Sequence, residues 1–119
     1  MPNARDVGQV EVGKVPIDGV WTPAASDIAL FESGLGSYLT AHAPPWAKDL
    51  PKKFRTYKRQ WTGLSAGGKR KIFGNFFCHE MPGWKERLVG VDDGGDCYFQ
   101  IFYDVDTHTY LDLMINGMG

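Results

Sequence analysis

The stretch from Asp92 to Tyr110, DDGGDCYFQIFYDVDTHTY, concentrates side chains that could bind a metal ion or act as a nucleophile. Asp104 and Asp106 are two residues apart, like the first two ligands of an EF-hand calcium loop. Such a loop also needs an oxygen ligand at its fifth position, glycine at its sixth and glutamate at its twelfth. This chain has His108, Thr109 and Ile115 at those positions, so the spacing excludes an EF-hand.

Asp104, Asp106 and His108 would share one face of a continuous strand, and carboxylate and imidazole donors together can bind transition metals. A turn over Asp106–Thr109 interrupts that alternation, because Asp and Thr side chains bond to nearby backbone N–H groups. DDGGD is not a phosphate-binding loop either, since three carboxylates repel phosphate and the P-loop lysine is missing. The sequence therefore predicts a tight turn here, with no metal and no cofactor.

Cys78 and Cys97 lie nineteen residues apart and form no CxxC pair, so they do not indicate zinc or thioredoxin chemistry. They form either one disulfide in an oxidising compartment or two half-buried thiols. A disulfide requires their Cα atoms to approach within about 7 Å. His79 follows Cys78 directly, and adjacent strand residues point to opposite faces, which predicts no thiolate–imidazolium pair between them. A pair of Cys97 with His79 or His108 stays open, and no catalytic residue is assigned.

The first predicted element is a helix that starts near Ile28 and ends before the APPW segment at 43–46. Its apolar residues have the spacing of one inward-facing helix stripe: Ile28, Phe31, Leu35, Tyr38, Leu39 and His42. Gly34 and Gly36 each weaken a helix by about 1 kcal/mol relative to alanine. We therefore expect tertiary packing to hold this helix, or another backbone to approach it closely. A further helical turn is predicted over Trp46–Leu50, ended by Pro51.

From Lys53 onward, apolar and polar residues alternate with a period of two, which predicts strands over 54–63, 69–80, 85–91, 97–105 and 110–116. In the last strand Leu111, Leu113 and Ile115 are predicted to face inward. Short connections, among them a turn at Gly67 and Gly68, favour antiparallel pairing. The sequence thus predicts an α+β fold with one N-terminal helix packed on a curved antiparallel sheet of about five strands, as in cystatin-like and NTF2-like folds.

Length and charge limit the organisation and the partners of the chain. Its 119 residues suit a single α+β domain over 23–119, after an extended or flexible N-terminal segment over 1–22. The net charge of −1 and the lack of long apolar runs predict neither nucleic-acid binding nor a membrane span. Nine of thirteen basic residues lie within Lys48–Lys71 and seven of fourteen acidic ones within Glu86–Asp112, which favours pairing between strands. Without a leader in these residues, we expect a cytosolic protein or a mature exported one.

The second half of the chain resembles a group of small, uncharacterised bacterial proteins. The shared pattern is an Arg-Gln-aromatic-x-Gly strand, a glycine-basic hairpin, a DGGD-aromatic strand, a Tyr-Asp pair and a final Asn-Gly. It is carried by Arg59, Gln60, Gly63, Lys69, Arg70, Asp93, Gly94, Gly95, Tyr103, Asp104, Asn116 and Gly117. This chain departs from the pattern at His108, where a glycine would be expected. The resemblance implies no established activity, and it favours the bacterial envelope because members are often exported or lipid-anchored.

Two functions are compatible with these features. The first is a non-enzymatic accessory or protein-interaction domain, because several strands carry aromatic residues on both faces and the sequence shows no coherent catalytic set. The expected partner is then another protein. The alternative is a small-ligand-binding protein or enzyme with a pocket between helix and sheet. The residues predicted to line that pocket are Tyr57, Arg59, Trp61, His79 and Asp104.

Overall fold

A computed structural model describes residues 11–12, 15–80, 83–86 and 95–116. Its strands are β1 (Glu11–Val12), β2 (Val15–Trp21), β3 (Lys58–Ala66), β4 (Lys69–Phe77), β5 (Tyr98–Asp104) and β6 (Thr109–Ile115). Two helices, α1 (Ala25–His42) and α2 (Leu50–Lys53), separate β2 from β3 in the chain. Short 3-10 turns cover Pro45–Ala47, Phe54–Thr56 and Gly95–Cys97. The predicted α+β class is confirmed.

Strands β2 to β6 form an open antiparallel sheet in which each strand pairs with its neighbours in the sequence. β1 adds a two-residue pairing with β2. Gly67 and Gly68 close the β3–β4 hairpin, and their φ angles of 61° and 77° match a two-residue turn that follows the strand twist. Both β1 and β2 lie within residues 1–22, the segment that was expected to be extended or flexible. The strand predicted over 85–91 lies outside the described residues except for Lys85 and Glu86, which form part of a turn.

Helix α1 lies on one face of the sheet, called here the helix face, and buries Phe31, Leu35 and Leu39. It begins three residues before the predicted start, because the Asp27 carboxylate accepts a hydrogen bond from the backbone N–H of Ala24 at 3.0 Å. The remaining buried residues of this core come from the segment before β3 and from β4 and β5: Leu50, Phe54, Tyr57, Ile72, Phe76, Phe99, Ile101 and Tyr103. The apolar stripe of α1 and the apolar residues on the helix face of the strands thus form one core.

The prediction of a single helix omits α2. Pro51 lies in the first turn of α2, where its missing N–H is not needed, so the prediction that Pro51 ends a helical turn is wrong. Leu50, the first residue of this short helix, and Phe54, the residue after it, bury their side chains in the helix-face core. Among the residues that the structure describes, neither helix has the length and apolar composition that crossing a bilayer requires.

A β-bulge changes the direction of the side chains in β6. Ile101 of β5 faces two residues of β6, Asp112 and Leu113, and Asp112 has a φ of 55°. Because of this extra residue, Leu113 and Ile115 pack toward the helix whereas Leu111 packs on the opposite face. The prediction that all three face inward is therefore wrong for Leu111.

The opposite face of the sheet, called here the second face, has its own buried apolar cluster, formed by Leu64, Ala66, Phe73 and Phe102. Beside it, Asn75 Nδ2 donates to Gln60 Oε1 at 2.9 Å and Gln100 Nε2 donates to Asn75 Oδ1 at 3.1 Å. Gln60 also donates to the backbone carbonyl of Trp84. The second face thus holds polar groups as well as apolar ones, and the side-chain amides of Gln60, Asn75 and Gln100 form one hydrogen-bonded chain across it.

Candidate functional site

A groove of about 320 Å³ opens between α1 and the β5–β6 hairpin. Six residues line it: Leu30, Ser33, Gly34, Tyr103, His108 and Tyr110. Leu30 is 48% exposed, unlike the buried leucines of the same helix. An exposed leucine beside two tyrosine rings gives the groove an apolar surface that solvent reaches.

The groove depends on Gly34 having no side chain. Tyr110 Oη donates a hydrogen bond to the backbone carbonyl of Phe31, and a Cβ on Gly34 would lie 2.9 Å from that hydroxyl oxygen. The Tyr110 ring also packs edge-on against the Phe31 ring, with centroids 5.6 Å apart. The sequence offered packing or a close backbone approach as the reason for this glycine. The structure shows a close approach, but by a side chain.

His108 lies in the turn between β5 and β6 with a φ of 56°, in the left-handed region. Asp104 Oδ1 holds this turn by accepting backbone N–H groups of Asp106 at 2.9 Å and Thr107 at 3.1 Å. The Tyr103 hydroxyl lies 2.9 Å from His108 Nδ1. Glycine adopts this conformation freely, whereas another residue loses about 1–2 kcal/mol. The turn therefore places an imidazole in the groove at a conformational cost that a glycine would avoid.

The tyrosine hydroxyls of the groove keep their protons at neutral pH. Burial, followed by the neighbouring Tyr103, raises the pKa of Tyr110 to about 12. Burial, followed by the charges of Asp104 and Asp27, raises the pKa of Tyr103. Both hydroxyls can thus form hydrogen bonds in the groove, but neither is an ionised nucleophile at neutral pH.

Asp104 lies on the second face, where it is buried together with Lys71. Lys71 Nζ donates to Asp104 Oδ2, while Oδ1 holds the following turn. Burial acts to raise the pKa of the Asp104 carboxyl, but the Lys71 hydrogen bond, the backbone N–H groups of Thr107 and Asp106 and the Lys71 charge lower it to about 2. Asp104 thus remains ionised and fixes the turn that carries His108.

Acidification is expected to destabilise the protein through Asp104. The folded-state pKa of about 2 lies below the ordinary value of 3.8, so this carboxylate stabilises the fold fully above about pH 4 and ceases to do so as the pH falls toward about 2. The shift corresponds to roughly 2 kcal/mol in the free energy of unfolding. Urea denaturation between neutral pH and about pH 2 measures the loss. In the Asp104→Asn variant this loss should be smaller, and equal losses in both proteins would contradict the assignment.

Arg59 connects α1 to the chain before β3. Its Nη1 pairs with the carboxylate of Glu32, and its Nη2 donates to the backbone carbonyls of Phe54 at 2.8 Å and Arg55 at 3.1 Å. The guanidinium also lies over the Phe76 ring, 5.0 Å from its centroid. Arg59 was predicted to bind a ligand, but these N–H groups donate to other residues of the same protein.

Trp61 and Tyr57 also contribute to the helix-face core. The Trp61 ring packs edge-on against Phe31, with centroids 4.8 Å apart. Tyr57 is buried, and its hydroxyl donates to the backbone carbonyl of Asp96 at 2.8 Å. Burial, followed by the Asp96 charge, raises the pKa of Tyr57 to about 12. Trp61 of β3 thus packs against α1, and Tyr57, just before β3, is tied to the turn before β5.

Cys78 and Cys97 form a disulfide, with their Cα atoms 4.9 Å apart. His79 Nδ1 lies 3.3 Å from Cys78 Sγ and 3.6 Å from Cys97 Sγ. The prediction that Cys78 and His79 point to opposite faces of a strand is wrong, because β4 ends at Phe77 and the chain bends at the next two residues. The Tyr98 hydroxyl lies 3.0 Å from His79 Nε2 on the other side of the ring.

The structure does not bring the five predicted binding residues into one pocket. Tyr57, Arg59 and Trp61 lie toward the helix face, His79 lies beside the disulfide, and Asp104 lies on the second face. No protein-family model, curated protein or solved structure matches this chain. Among the described residues, two arrangements come from the tertiary structure instead: the groove beside α1 and the cluster of two cysteines and a histidine.

No pattern in the sequence brings together the residues that line the groove. Leu30 and Ser33 lie off the predicted apolar stripe, and Tyr110 is distant from them in the sequence. Two signals were present: a glycine at position 34 of a helix, and a histidine at position 108 where a glycine was expected. Neither signal shows that both positions border the same groove, because that depends on how the hairpin packs on the helix.

Three ion pairs among the described residues join the basic segment to the acidic C-terminal segment. Lys53 Nζ lies 2.7 Å from Asp96 Oδ2, and Arg70 Nη2 lies 3.7 Å from Asp106 Oδ1. Lys71 and Asp104 form the buried pair already described. The pair of Lys71 and Asp104 joins β4 to β5, as the predicted pairing between strands requires. The other two pairs join β4 to the turn after β5 and α2 to the 3-10 turn before β5.

Proposed function

We propose that this chain is a non-enzymatic accessory domain that binds another protein through the groove between α1 and the β5–β6 hairpin. The observation that carries the proposal is the placement of an exposed leucine, Leu30, beside the tyrosines of this groove. Apolar side chains that remain exposed beside a concave surface are typical of protein-interaction sites.

The shape and chemistry of the groove favour an apolar or aromatic side chain of the partner as its occupant. Its volume of about 320 Å³ lies at the lower end of the range of ligand sites, about 300–1,000 Å³. An anchoring side chain and its immediate neighbours fit such a volume, and a large cofactor does not. Tyr103 and His108 add polar atoms that can orient the backbone of the bound segment.

The titratable groups of the groove support binding more than catalysis. Tyr103 and Tyr110 have raised pKa values, so they are not activated as nucleophiles at neutral pH. Asp104, the nearest carboxylate along the chain, is paired with Lys71 on the second face. Among the residues that the structure describes, the groove thus combines one imidazole with protonated hydroxyls and an apolar rim.

We further propose a cystatin-like architecture for the domain and membership in the group of small bacterial proteins that its second half resembles. One long helix between β2 and β3 of a sequentially ordered antiparallel sheet supports the architecture. The left-handed φ of His108, at the position where that group has a glycine, supports the membership. The disulfide between Cys78 and Cys97 supports export to an oxidising compartment.

Selection of peptides from a random displayed library against the immobilised protein tests the proposed function. We expect the selected peptides to share an aromatic or large aliphatic position. Added to ¹⁵N-labelled protein, such a peptide should shift the amide resonances of Ser33, Gly34 and Tyr110. The Leu30→Asp variant places a charge at the apolar rim and should weaken binding about tenfold or more, which is about 1.4 kcal/mol.

The matched control is Val20→Asp, which changes another exposed apolar residue, 61% exposed, on β2. It should leave peptide affinity unchanged while carrying the same new charge. Peptides that bind equally well to Leu30→Asp, or that shift resonances outside the groove, would contradict the proposal.

A small-ligand-binding function is the second candidate, favoured by the contact between Tyr103 and His108 at the groove. A hydroxyl and an imidazole that converge on a concave surface can orient a small polar aromatic molecule. Titration with indole and with phenol separates the two functions. Saturable shifts of the groove amides with these molecules, together with failure to select any peptide, would favour the small ligand.

A further inference from the structure

The cluster of Cys78, His79 and Cys97 contains three donor atoms of the kind that bind zinc and similar ions. One ligand atom from each residue lies within 4.8 Å of the other two. Cys78 and His79 are exposed, and Cys97 is half-buried, so an ion in solvent can reach all three. This cluster lies at the end of β4 and the start of β5 and shares no residue with the groove.

We propose that, when the disulfide is reduced, Cys78, His79 and Cys97 bind one thiophilic divalent cation such as Zn²⁺. The ion would have two thiolate ligands and the Nδ1 atom of His79. A fourth position would remain for water or for a donor from another molecule, as in zinc sites with three protein ligands. The site is independent of the proposed protein-binding groove.

The histidine is already at the distance that such a site requires. Zinc bonds of about 2.3 Å to sulfur and about 2.0–2.1 Å to nitrogen, at tetrahedral angles, place a ligating sulfur and nitrogen about 3.6 Å apart. The observed separations of His79 Nδ1 are 3.3 Å from Cys78 Sγ and 3.6 Å from Cys97 Sγ. Only the two sulfur atoms have to move apart, to roughly 3.8 Å by the same geometry, once the bond between them is broken.

Tyr98 holds the imidazole in the orientation that leaves Nδ1 free for a metal. Its hydroxyl lies 3.0 Å from His79 Nε2, so Nε2–H can donate to the phenol oxygen. Metal-binding histidines generally use their other ring nitrogen in such a hydrogen bond, which fixes the tautomer and the ring. The backbone supports the same arrangement, since Cys78 N–H donates to the carbonyl of Cys97 at 2.9 Å independently of the disulfide.

Metal binding and the disulfide exclude each other. A dithiol reductant breaks the S–S bond, becomes a disulfide itself and leaves two protein thiols. Zn²⁺ then replaces the two thiol protons, which pass to solvent, and accepts the lone pair of His79 Nδ1. Reoxidation by a small-molecule disulfide reforms the protein S–S bond and releases the ion, while the oxidant is reduced to two thiols. The compartment in which the protein resides thus determines which form is populated.

Titration of the full chain with Co²⁺ under oxygen-free conditions tests this proposal. Protein reduced with a phosphine should bind one Co²⁺ per chain, with thiolate-to-cobalt charge-transfer absorption and the strong visible bands of tetrahedral cobalt. Zn²⁺ should displace the cobalt, and the oxidised protein should show neither band. Near-ultraviolet circular dichroism of the reduced protein reports whether the fold is retained.

Two variants replace neighbours of the cysteines and keep both cysteines. The disulfide can therefore still form while the protein folds, before it is reduced for the titration. His79→Ala should weaken Co²⁺ binding at least tenfold, and Tyr98→Phe should weaken it on the order of tenfold. The matched control His42→Ala, which alters an exposed histidine at the end of α1, should leave affinity unchanged. Sub-stoichiometric binding by reduced protein, folded or unfolded, would overturn the proposal. Equal affinity in His79→Ala, or equal binding by the oxidised chain, would also overturn it.

Discussion

Replacing Lys71 with methionine is expected to lower the free energy of unfolding by about 3–5 kcal/mol. Lys71 and Asp104 are both buried on the second face, and Lys71 Nζ is hydrogen-bonded to the Asp104 carboxylate. Methionine fills a similar volume but leaves a buried carboxylate without its counter-charge. Urea denaturation at neutral pH, followed by circular dichroism, measures the loss.

Two further variants separate this effect from a general loss of charge. Lys69→Met removes an exposed lysine of the same strand, and we expect it to change the free energy of unfolding by about 0.5 kcal/mol or less. Adding Asp104→Asn to Lys71→Met removes the unpaired charge and keeps an acceptor for the turn, so it should recover more than half of the loss. Similar stabilities for Lys71→Met and Lys69→Met would show that the pair contributes little.

Replacing Gly63 with alanine is expected to lower the free energy of unfolding by about 3 kcal/mol or more. Gly63 faces Trp21 across the β2–β3 pairing, and an added Cβ would overlap the backbone carbonyl oxygen of Trp21. The same Cβ would lie 3.0 Å from Pro23 Cδ. A backbone carbonyl cannot move aside as a flexible side chain can, so β2 has to shift as a unit. Thermal and urea denaturation measure the change.

That shift of β2 would also disturb the anchor provided by Trp21. Its Nε1 donates to the backbone carbonyls of Leu64 at 3.0 Å and Lys71 at 3.1 Å. The matched control is Gly68→Ala in the hairpin turn, where φ is 77° and an added Cβ has no neighbour within 4 Å. Only the conformational penalty of about 1–2 kcal/mol applies there. A larger loss for Gly68→Ala than for Gly63→Ala would contradict the assigned role of Gly63.

The elements with strong periodicity could be predicted from the sequence. The apolar stripe containing Phe31, Leu35 and Leu39 indicated α1, and the alternation around Phe99 and Ile101 indicated β5. Strand β2 was harder to recognise, because its sequence VPIDGVW contains a proline and a glycine. Its place in the sheet depends on contacts with distant residues such as Gly63 and Leu64, which local patterns do not reveal.

The sites depended still more on tertiary structure. The bulge at Asp112 shifts the alternation of β6 by one residue, so Leu111 and Leu113 pack on different faces although their spacing predicts one face. Strand alternation likewise separated Cys78 from His79, whereas the bend after Phe77 brings them into contact. A period of two holds only while the strand continues, and both errors arise where it is interrupted.

By itself, the sequence determined the α+β class, the helix that buries Phe31 and the antiparallel strands from β3 to β6, because each follows from a local repeat of apolar residues. The tertiary structure alone decided that Gly34 and Tyr110 border one groove. It also decided that His79 Nδ1 lies beside the sulfur atoms of both Cys78 and Cys97, at 3.3 Å and 3.6 Å. The physical reason is that both sites join segments that are distant in the chain or lie where regular strand geometry ends, so chain packing, rather than any local pattern, sets their geometry.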